Sequence, residues 1–416
     1  VSHSAGRATI VGSGIVGICA ALSLLEKGFA VEIIDRDKPA EGASHGNAGV
    51  ISPWTCVPQS LPGLWASIPK WLLDAEGPAS IRWGYLLPLL PWALRFLRAG
   101  KAHRLQAISD AMHVLNRPNV DLYRHHLKGT GAEHLLSPST YVHVYRNPAE
   151  ADLDSLVWRM RQDRGVPLQL LDAGELHEIE PALADDCRAA VLIKDQARAT
   201  DPGALGKALA EKALSMGATF RQTSVATISS RPGDRWTLHT DIGELNAEKL
   251  VIAAGAWSAR LLAPLGIRLP LEAERGYHLV FRDCNVTLNN SVMDTDRKFV
   301  VSSMLAGLRC AGTAEFAGLD AAPDYRRATV FERLVKRLIP KIEINETVEW
   351  MGSRPSFPDS LPVIGQVPGP ANLFAAFGHS HYGLGMAPHT GRIVAALLAG
   401  EPAAVDLGPY RIDRFH

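Results

Sequence analysis

An apolar strand that runs into a glycine-spaced turn and then an amphipathic helix leaves a chain few folds to choose from, and residues 8–36, from ATIVGSGIVG to VEIIDR, have that order. Ala8 to Val11 predict the strand, Ile18, Ala21, Leu22 and Leu25 form a helical stripe, and Gly28 stops the helix before a second strand carrying Val31, Ile33 and Ile34. Between strand and helix stand Gly12, Gly14 and Gly17. Gly12 permits the turn, Gly14 leaves no Cβ between backbone and a pyrophosphate, and Gly17 lets the helix lie close on the strand. Ile15 and Val16 open a helix whose free N–H groups and positive dipole end face the phosphates. Asp35, about twenty residues on, can accept ribose hydroxyls, which argues against the 2′-phosphate of NADP, although Arg36 beside it softens that argument. The expectation is an α/β, Rossmann-type domain that binds an adenine dinucleotide, with NAD and FAD both open at this point.

With 416 residues, 47% hydrophobic and 21% charged, the chain can hold two domains with sizeable cores. Its 43 basic and 43 acidic residues cancel, which argues against a nucleic-acid partner and against a polybasic membrane anchor. Cys19, Cys56, Cys187, Cys284 and Cys310 are scattered and lack CxxC or Cys/His metal spacing, which fits a cytoplasmic, reducing compartment and no structural metal. The first strand opens at Ala8, so no cleaved leader is expected ahead of it. The stretch 54–97 holds five tryptophans (Trp54, Trp65, Trp71, Trp83, Trp92) among many prolines. Arg82, Arg95, Pro88 and Pro91 rule out a simple spanning helix there, leaving a cap over a buried ligand or a peripheral membrane or quinone contact.

Residues 101–135 read as helical, and His103, His113, His125 and His126 along them have no ligand-like spacing to a carboxylate cluster. Residues 139–146 alternate like a strand, 152–164 return to helix, and Asp201 caps a helix that Gly217 ends. Strand-like runs follow at 219–228, 235–240 and 245–252. The last of these leads into VIAAGAWS, where Ala254 and Gly255 let backbone approach a flat or phosphate-bearing ligand at the carboxyl edge of a parallel sheet. A return to the first sheet so late predicts a discontinuous dinucleotide domain with a second α+β domain, built on a mixed or antiparallel sheet, threaded through it. The expected boundaries are 1–60, 199–258 and 345–416 for the dinucleotide domain, and 61–198 and 259–344 for the cap and substrate domain.

The opening GSGIVG, SHGNAGVISP (44–53), QARATDPGAL (196–205), VIAAGAWS, RGYHLV (275–280), CAGTAEFAG (310–318), GSRPSFPDSLPVIG (352–365) and FGHSHYGLGMAPHTGR (377–392) follow the order found in FAD-dependent D-amino-acid oxidases and dehydrogenases. The chain resembles most closely the small-subunit type of bacterial D-amino-acid dehydrogenase, with glycine and sarcosine oxidases as more distant relatives. The resemblance implies FAD, with Ser44, Asn47, Ala48, Gly49, Val225, Gly378, Gly383, Leu384, Gly385 and Met386 added to the cofactor set. A glycine-rich helix entry at 383–385 suits the negative charge that develops on one edge of a reduced flavin. The position matching Gly352 is a covalently bonding cysteine in the sarcosine oxidase branch, so the flavin is expected to be noncovalent.

The same resemblance makes Arg354 the clamp for a substrate carboxylate, for which a planar guanidinium offers a matched fork. A structural ion pair with Asp359 or Glu349 is the competing reading. His381 stands where glycine oxidase carries a second arginine, and could take the ammonium proton or shape the pocket. His45 matches a substrate-facing position of sarcosine oxidase, and Tyr277 could hydrogen-bond a carboxylate. The implied reaction is oxidative deamination of a small amino or imino acid by hydride transfer from Cα to flavin N5, with oxygen, a quinone or a carrier as the final acceptor. The alternatives are a flavin 2-hydroxy-acid dehydrogenase and a flavin-bearing subunit of a larger amine-oxidising complex.

Overall fold

The computed structural model describes residues 5–415. Strand β1 (Arg7–Val11), helix α1 (Ile15–Glu26) and strand β2 (Ala30–Asp35) form the anticipated unit, with Ala8 facing Val31 in parallel register. On its other side β1 pairs in parallel with Lys249–Ile252, Ala8 facing Lys249. The full sheet runs Val363–Gln366, Leu373–Phe377, Lys249–Ile252, β1, β2, Thr219–Gln222, and only the Val363–Gln366 strand is antiparallel. Three distant stretches of sequence thus complete one sheet.

Period-two alternation along β1 and β2 separates the two faces of this sheet. Ile10 and Ile33 point into a core shared with α1, Pro202–Ser215 and Gly383–Leu398. Val11 and Ile34 point into another, covered by a three-stranded antiparallel sheet through Ile228, Trp236 and Leu238. Helix Gly383–Leu398 lies against α1 at backbone contact: a Cβ on Gly391 would come within 2.4 Å of the Cys19 carbonyl oxygen.

The second layer is a mixed ten-stranded sheet. Its path runs Glu346–Ser356, Glu272–Arg282, Gly307–Phe316, Phe299–Met304, Ser291–Asp294, Leu136–Tyr145, Ala189–Ala199, Val50–Ile51. Helix Arg326–Leu338 buries its apolar stripe on one face of this sheet, and the other face lines the large cavity. The α/β fold with a discontinuous Rossmann-type part and a mixed-sheet part follows the sequence expectation.

Several local expectations are corrected. Residues 346–356, placed with the dinucleotide domain in the sequence reading, pair along their whole length with Glu272–Arg282 in the larger sheet. The run 245–252 is two strands in different sheets, Gly243–Ala247 and Lys249–Ile252. Pro118 divides the helical stretch after residue 101 into Ala102–Asn116 and Asn119–Leu127. Pro91 is accommodated inside helix Leu86–Ala99. Among the described residues no helix is long and apolar enough to cross a membrane, and all five cysteines are free.

Candidate active site

The carboxyl ends of β1, β2 and Lys249–Ile252 open into a cavity of ≈ 1310 Å³ that extends beneath the ten-stranded sheet. Single small-molecule pockets run to about 1,000 Å³, so this volume suits a dinucleotide and a substrate together. On the nucleotide side the turn is set by close backbone contacts. Gly12 has φ +116°, and a Cβ there would sit 2.3 Å from the Ala253 carbonyl oxygen. A Cβ on Gly17 would sit 1.9 Å from the Gly12 carbonyl oxygen, so this glycine seals helix to strand and does not line the cavity. Over Gly14 the space is open, its nearest neighbour being Ser44 Oγ at 3.5 Å from an ideal Cβ. Ser44 Oγ accepts the Ile15 N–H (3.0 Å), tying the 44–49 loop to the start of α1.

Asp35 lines the cavity with its carboxylate directed back at the turn, accepting from Ser13 N (2.6 Å) and Ser13 Oγ (2.9 Å). Arg36 lies 4.0 Å over the Trp257 ring, so the first strand pair and the VIAAGAWS segment meet at one rim. Ile15, Val16, Asn47, Ala48, Val225, Ala254, Gly255, Gly378, Gly383, Leu384 and Gly385 also line the cavity. Gly49 and Met386 do not: Gly49, at φ +80°, fits its backbone under the Ala199 carbonyl oxygen, and Met386 is buried in the core behind the helix. The open cradle over Gly14, the acid at the end of β2 and the helix entry at Gly383 fit FAD, and Gly352 offers no thiol. Cys56 is the cavity's cysteine among the described residues, and burial raises its pKa.

The substrate side is built from three strands and one helix entry. Arg354 and Glu274 face one another across neighbouring antiparallel strands. Arg354 Nη1 donates to Glu274 Oε1 (3.1 Å) and to the Thr313 carbonyl oxygen (3.1 Å). Gly276 makes room for this, because a Cβ there would lie 2.2 Å from Arg354 Cζ. His381 Nε2 bonds the same Glu274 Oε1, and Ser356 Oγ donates to Oε2 (3.0 Å). Burial alone would raise the Glu274 carboxyl; the facing His381 and then Arg354 outweigh it and hold the pKa at about 2. Neither partner foreseen for an Arg354 ion pair is present: Asp359 binds Arg414 (2.8 Å), and the carboxylate that Arg354 meets is Glu274.

Two expected site residues are placed otherwise. His45 does not line the cavity; it lies against the start of helix Pro202–Ser215, where a Cβ on Gly203 would come within 2.4 Å of its Nδ1. Its loop is held the other way by its carbonyls, since Arg309 Nη1 binds the oxygens of His45 (3.1 Å) and Asn47 (2.8 Å) and His278 Nδ1 donates to Gly46 O (3.1 Å). Tyr277 borders the cavity, but strand alternation turns its hydroxyl away from Glu274. That hydroxyl donates to Glu315 Oε2 (2.6 Å) and accepts from Asp324 N (3.0 Å), leaving little for a substrate.

Sequence reading missed Glu274, Arg309 and Trp350. Glu272 and Glu274, two acids at alternate positions of a strand buried along nearly its whole length, were the available signal for the first. Trp350 is wedged between Gly46 and Gly352, where a Cβ would meet its ring at 1.9 and 2.1 Å, and stacks on His278 (4.9 Å, 16°). The fold also supplies the carboxylate that sequence spacing did not find for His125 and His126: Glu26 lies 2.8 Å from the first and 3.7 Å from the second.

Residues 7–397 match the model of the family described as FAD dependent oxidoreductase. The chain is 36% identical over 413 residues to a D-amino-acid oxidase of Bradyrhizobium diazoefficiens, covering 98% of each. It is 30% identical over 416 residues to a D-amino acid dehydrogenase of the same organism, covering 98% of this chain and 99% of that one. Among solved structures, glycine oxidase from Geobacillus kaustophilus superposes with a TM-score of 0.74 at 26% identity, over 98% of this chain and 99% of that one.

Proposed function

Because the chain belongs to the FAD-dependent oxidoreductase family, we propose that its cavity carries out the oxidative deamination of a small amino or imino acid, a D-amino acid in first place. It is a FAD-dependent enzyme, and its relatives are named as D-amino-acid oxidase and dehydrogenase. FAD, when bound, supplies the two-electron acceptor for the hydrogen on the substrate Cα. Gly12, Gly14, Asp35 and the 44–49 loop would hold its ADP and ribityl parts, and the entry of helix Gly383–Leu398 its redox edge, without a covalent bond.

The observation that carries the reading is the Arg354–Glu274–His381 cluster inside the same cavity. Arg354 spends only Nη1 on protein acceptors, so the rest of its fork is free for a substrate carboxylate among the described residues. Glu274, ionised at neutral pH, keeps a negative charge beside the clamp that attracts the ammonium of an amino acid. His381, bonded to Glu274, is the group that receives a proton as the amine becomes neutral. Water then hydrolyses the imino acid to the 2-oxo acid. A 2-hydroxy acid has no cation to offer Glu274, which favours the amine reading over the alcohol.

Anaerobic titration of the yellow protein with a panel of D- and L-amino acids, imino acids and 2-hydroxy acids tests this directly. Bleaching of the flavin by D-amino or imino acids is the expected result; bleaching by hydroxy acids alone, or by nothing, overturns it, the latter favouring a subunit of a larger complex. For the electron acceptor, Trp83, Leu73, Leu87 and Trp65 are exposed by 90, 87, 80 and 67% on a segment whose Trp71, Leu89 and Phe96 line the cavity. This supports a cytoplasmic enzyme that touches a membrane surface and passes electrons to a quinone there. Flotation with lipid vesicles should be lost in Trp83→Glu/Leu87→Glu with flavin reduction intact; wild-type protein that stays at the bottom of the gradient would leave oxygen or a carrier as the acceptor.

A further inference from the structure

The cavity wall also carries a charge that the deamination of a simple amino acid does not use. Tyr382, which lines the cavity, lies within electrostatic reach of both Arg161 and Glu274. Arg161 projects from helix Leu156–Gln162 into the cavity lining, half-buried, with its guanidinium 4.7 Å over the Trp158 ring. Its Nη1 donates to the Val157 carbonyl oxygen (3.1 Å) of its own helix. Among the described residues it makes no ion pair, and the groups that bear on it, Cys56, Tyr141, Tyr382 and Tyr145, are neutral at physiological pH.

This is unusual for an arginine in a cavity wall, because a cation drawn partly out of water is normally met by a carboxylate. The neighbouring Lys298 shows the contrast: it also borders the cavity but faces Asp294, Asp296 and Glu150. Beside Arg161, His143 also lines the cavity, its ring held edge-on between Tyr141 (4.6 Å) and Trp158 (5.1 Å). Burial first, and then the charges of Arg161 and Lys298, hold its imidazole neutral. A guanidinium without a counter-ion in the cavity wall, with no carboxylate bearing on it, forms a site for an anion.

We propose that Arg161 binds a second carboxylate of the substrate, so that the preferred substrates are dicarboxylic: amino acids whose side chain or N-substituent ends in a carboxylate. The inference rests on the deamination reading for the placement of the first carboxylate at Arg354. Arg161 then sets specificity and takes no part in the chemistry. A neutral side chain beside Arg161 leaves the guanidinium uncompensated and binds more weakly.

Two measurements on the FAD-loaded protein separate this idea from the reading beneath it. The first is binding without turnover, following the flavin spectrum or heat as dicarboxylates from succinate to adipate and the monocarboxylate butyrate are added. At least one dicarboxylate should bind about tenfold or more tightly than butyrate, and Arg161→Met should remove that advantage while Arg161→Lys keeps part of it. The second is flavin reduction by D-glutamate and D-aspartate against D-glutamine and D-asparagine. Arg161→Met should raise KM for the acids about ten- to a hundredfold and change KM for the amides less than twofold, with kcat little altered. Dicarboxylates that bind wild type no better than butyrate overturn the proposal whether or not Arg161→Met folds. Normal bleaching by neutral D-amino acids in that case leaves the deamination reading standing, whereas dicarboxylate binding with no bleaching by any amine overturns the reading and keeps the anion site.

Discussion

Arg354 owes its position to what is missing beside it. The guanidinium lies where the Cβ of any residue but glycine at 276 would be, and it reaches Glu274 and Thr313 O through one nitrogen. Arg354→Ala removes the carboxylate clamp and leaves the buried Glu274 without its guanidinium partner. The expected loss is about 2–4 kcal/mol in transition-state terms, or roughly 30- to 1,000-fold in kcat/KM for carboxylate substrates. Stopped-flow flavin reduction measures it, and unchanged kinetics would remove Arg354 from the site. Gly276→Ala makes a finer probe, since the obstacle it meets is the end of a flexible side chain: KM should rise while the protein stays folded and yellow.

At the scale of elements, the βαβ start depends on α1 lying on the turn with no side chain between them. Gly17→Ala pushes a Cβ toward the Gly12 carbonyl oxygen, which ideal geometry places 1.9 Å away and which cannot swing aside as a side chain could. A cost of about 1–3 kcal/mol is expected, read as a lower melting temperature with flavin content falling in parallel. A variant as stable and as yellow as wild type would show that helix and strand can separate freely. This unit was legible in the sequence because its geometry is local: the spacing of Gly12, Gly14 and Gly17, the stripe from Ile18 to Leu25 and the stop at Gly28 lie within one stretch. The place of Arg354 and His381 in the cavity wall was legible through resemblance. Glu274 was not, because its meaning comes from a partner 80 positions away across a strand pair, and Arg161 was not, because a lone helical arginine shows its lack of a counter-ion only once the cavity is closed around it. His45 and Tyr277 were misplaced for a related reason: a motif gives the position of a side chain in the chain, while the carbonyl contacts of Arg309 and the alternation of the strand decide which way it points.

For the whole molecule, acid is the expected weakness. Burial lowers His278 and His379 from their ordinary 6.5 to about 3, and in His278 the nearby Arg309 adds to it. Unfolded, each takes up a proton near pH 6.5, so the unfolded state binds more protons below that pH. The stability these neutral imidazoles confer is therefore complete above about pH 6.5 and declines as pH falls toward 3. Melting temperature measured from pH 7.5 down to 4 should drop along this interval, and His379→Gln should flatten the fall. A profile that stays level from pH 6.5 to 4.5 would contradict the buried, neutral state of both rings.

The central position of β1 has a consequence for synthesis. One of its edges can pair with β2 as soon as about thirty residues exist, but the other waits for Lys249–Ile252, and that strand's own outer parallel partner waits for Leu373–Phe377. A ribosome adds roughly 5–20 residues per second, so the nascent hairpin-sized start spends many seconds with an apolar edge unpaired while the mixed sheet assembles beyond it. The cofactor cradle closes only when the helix beginning at Gly383 has emerged. Loading with FAD is thereby a test of a nearly finished chain, and a truncated product would remain colourless.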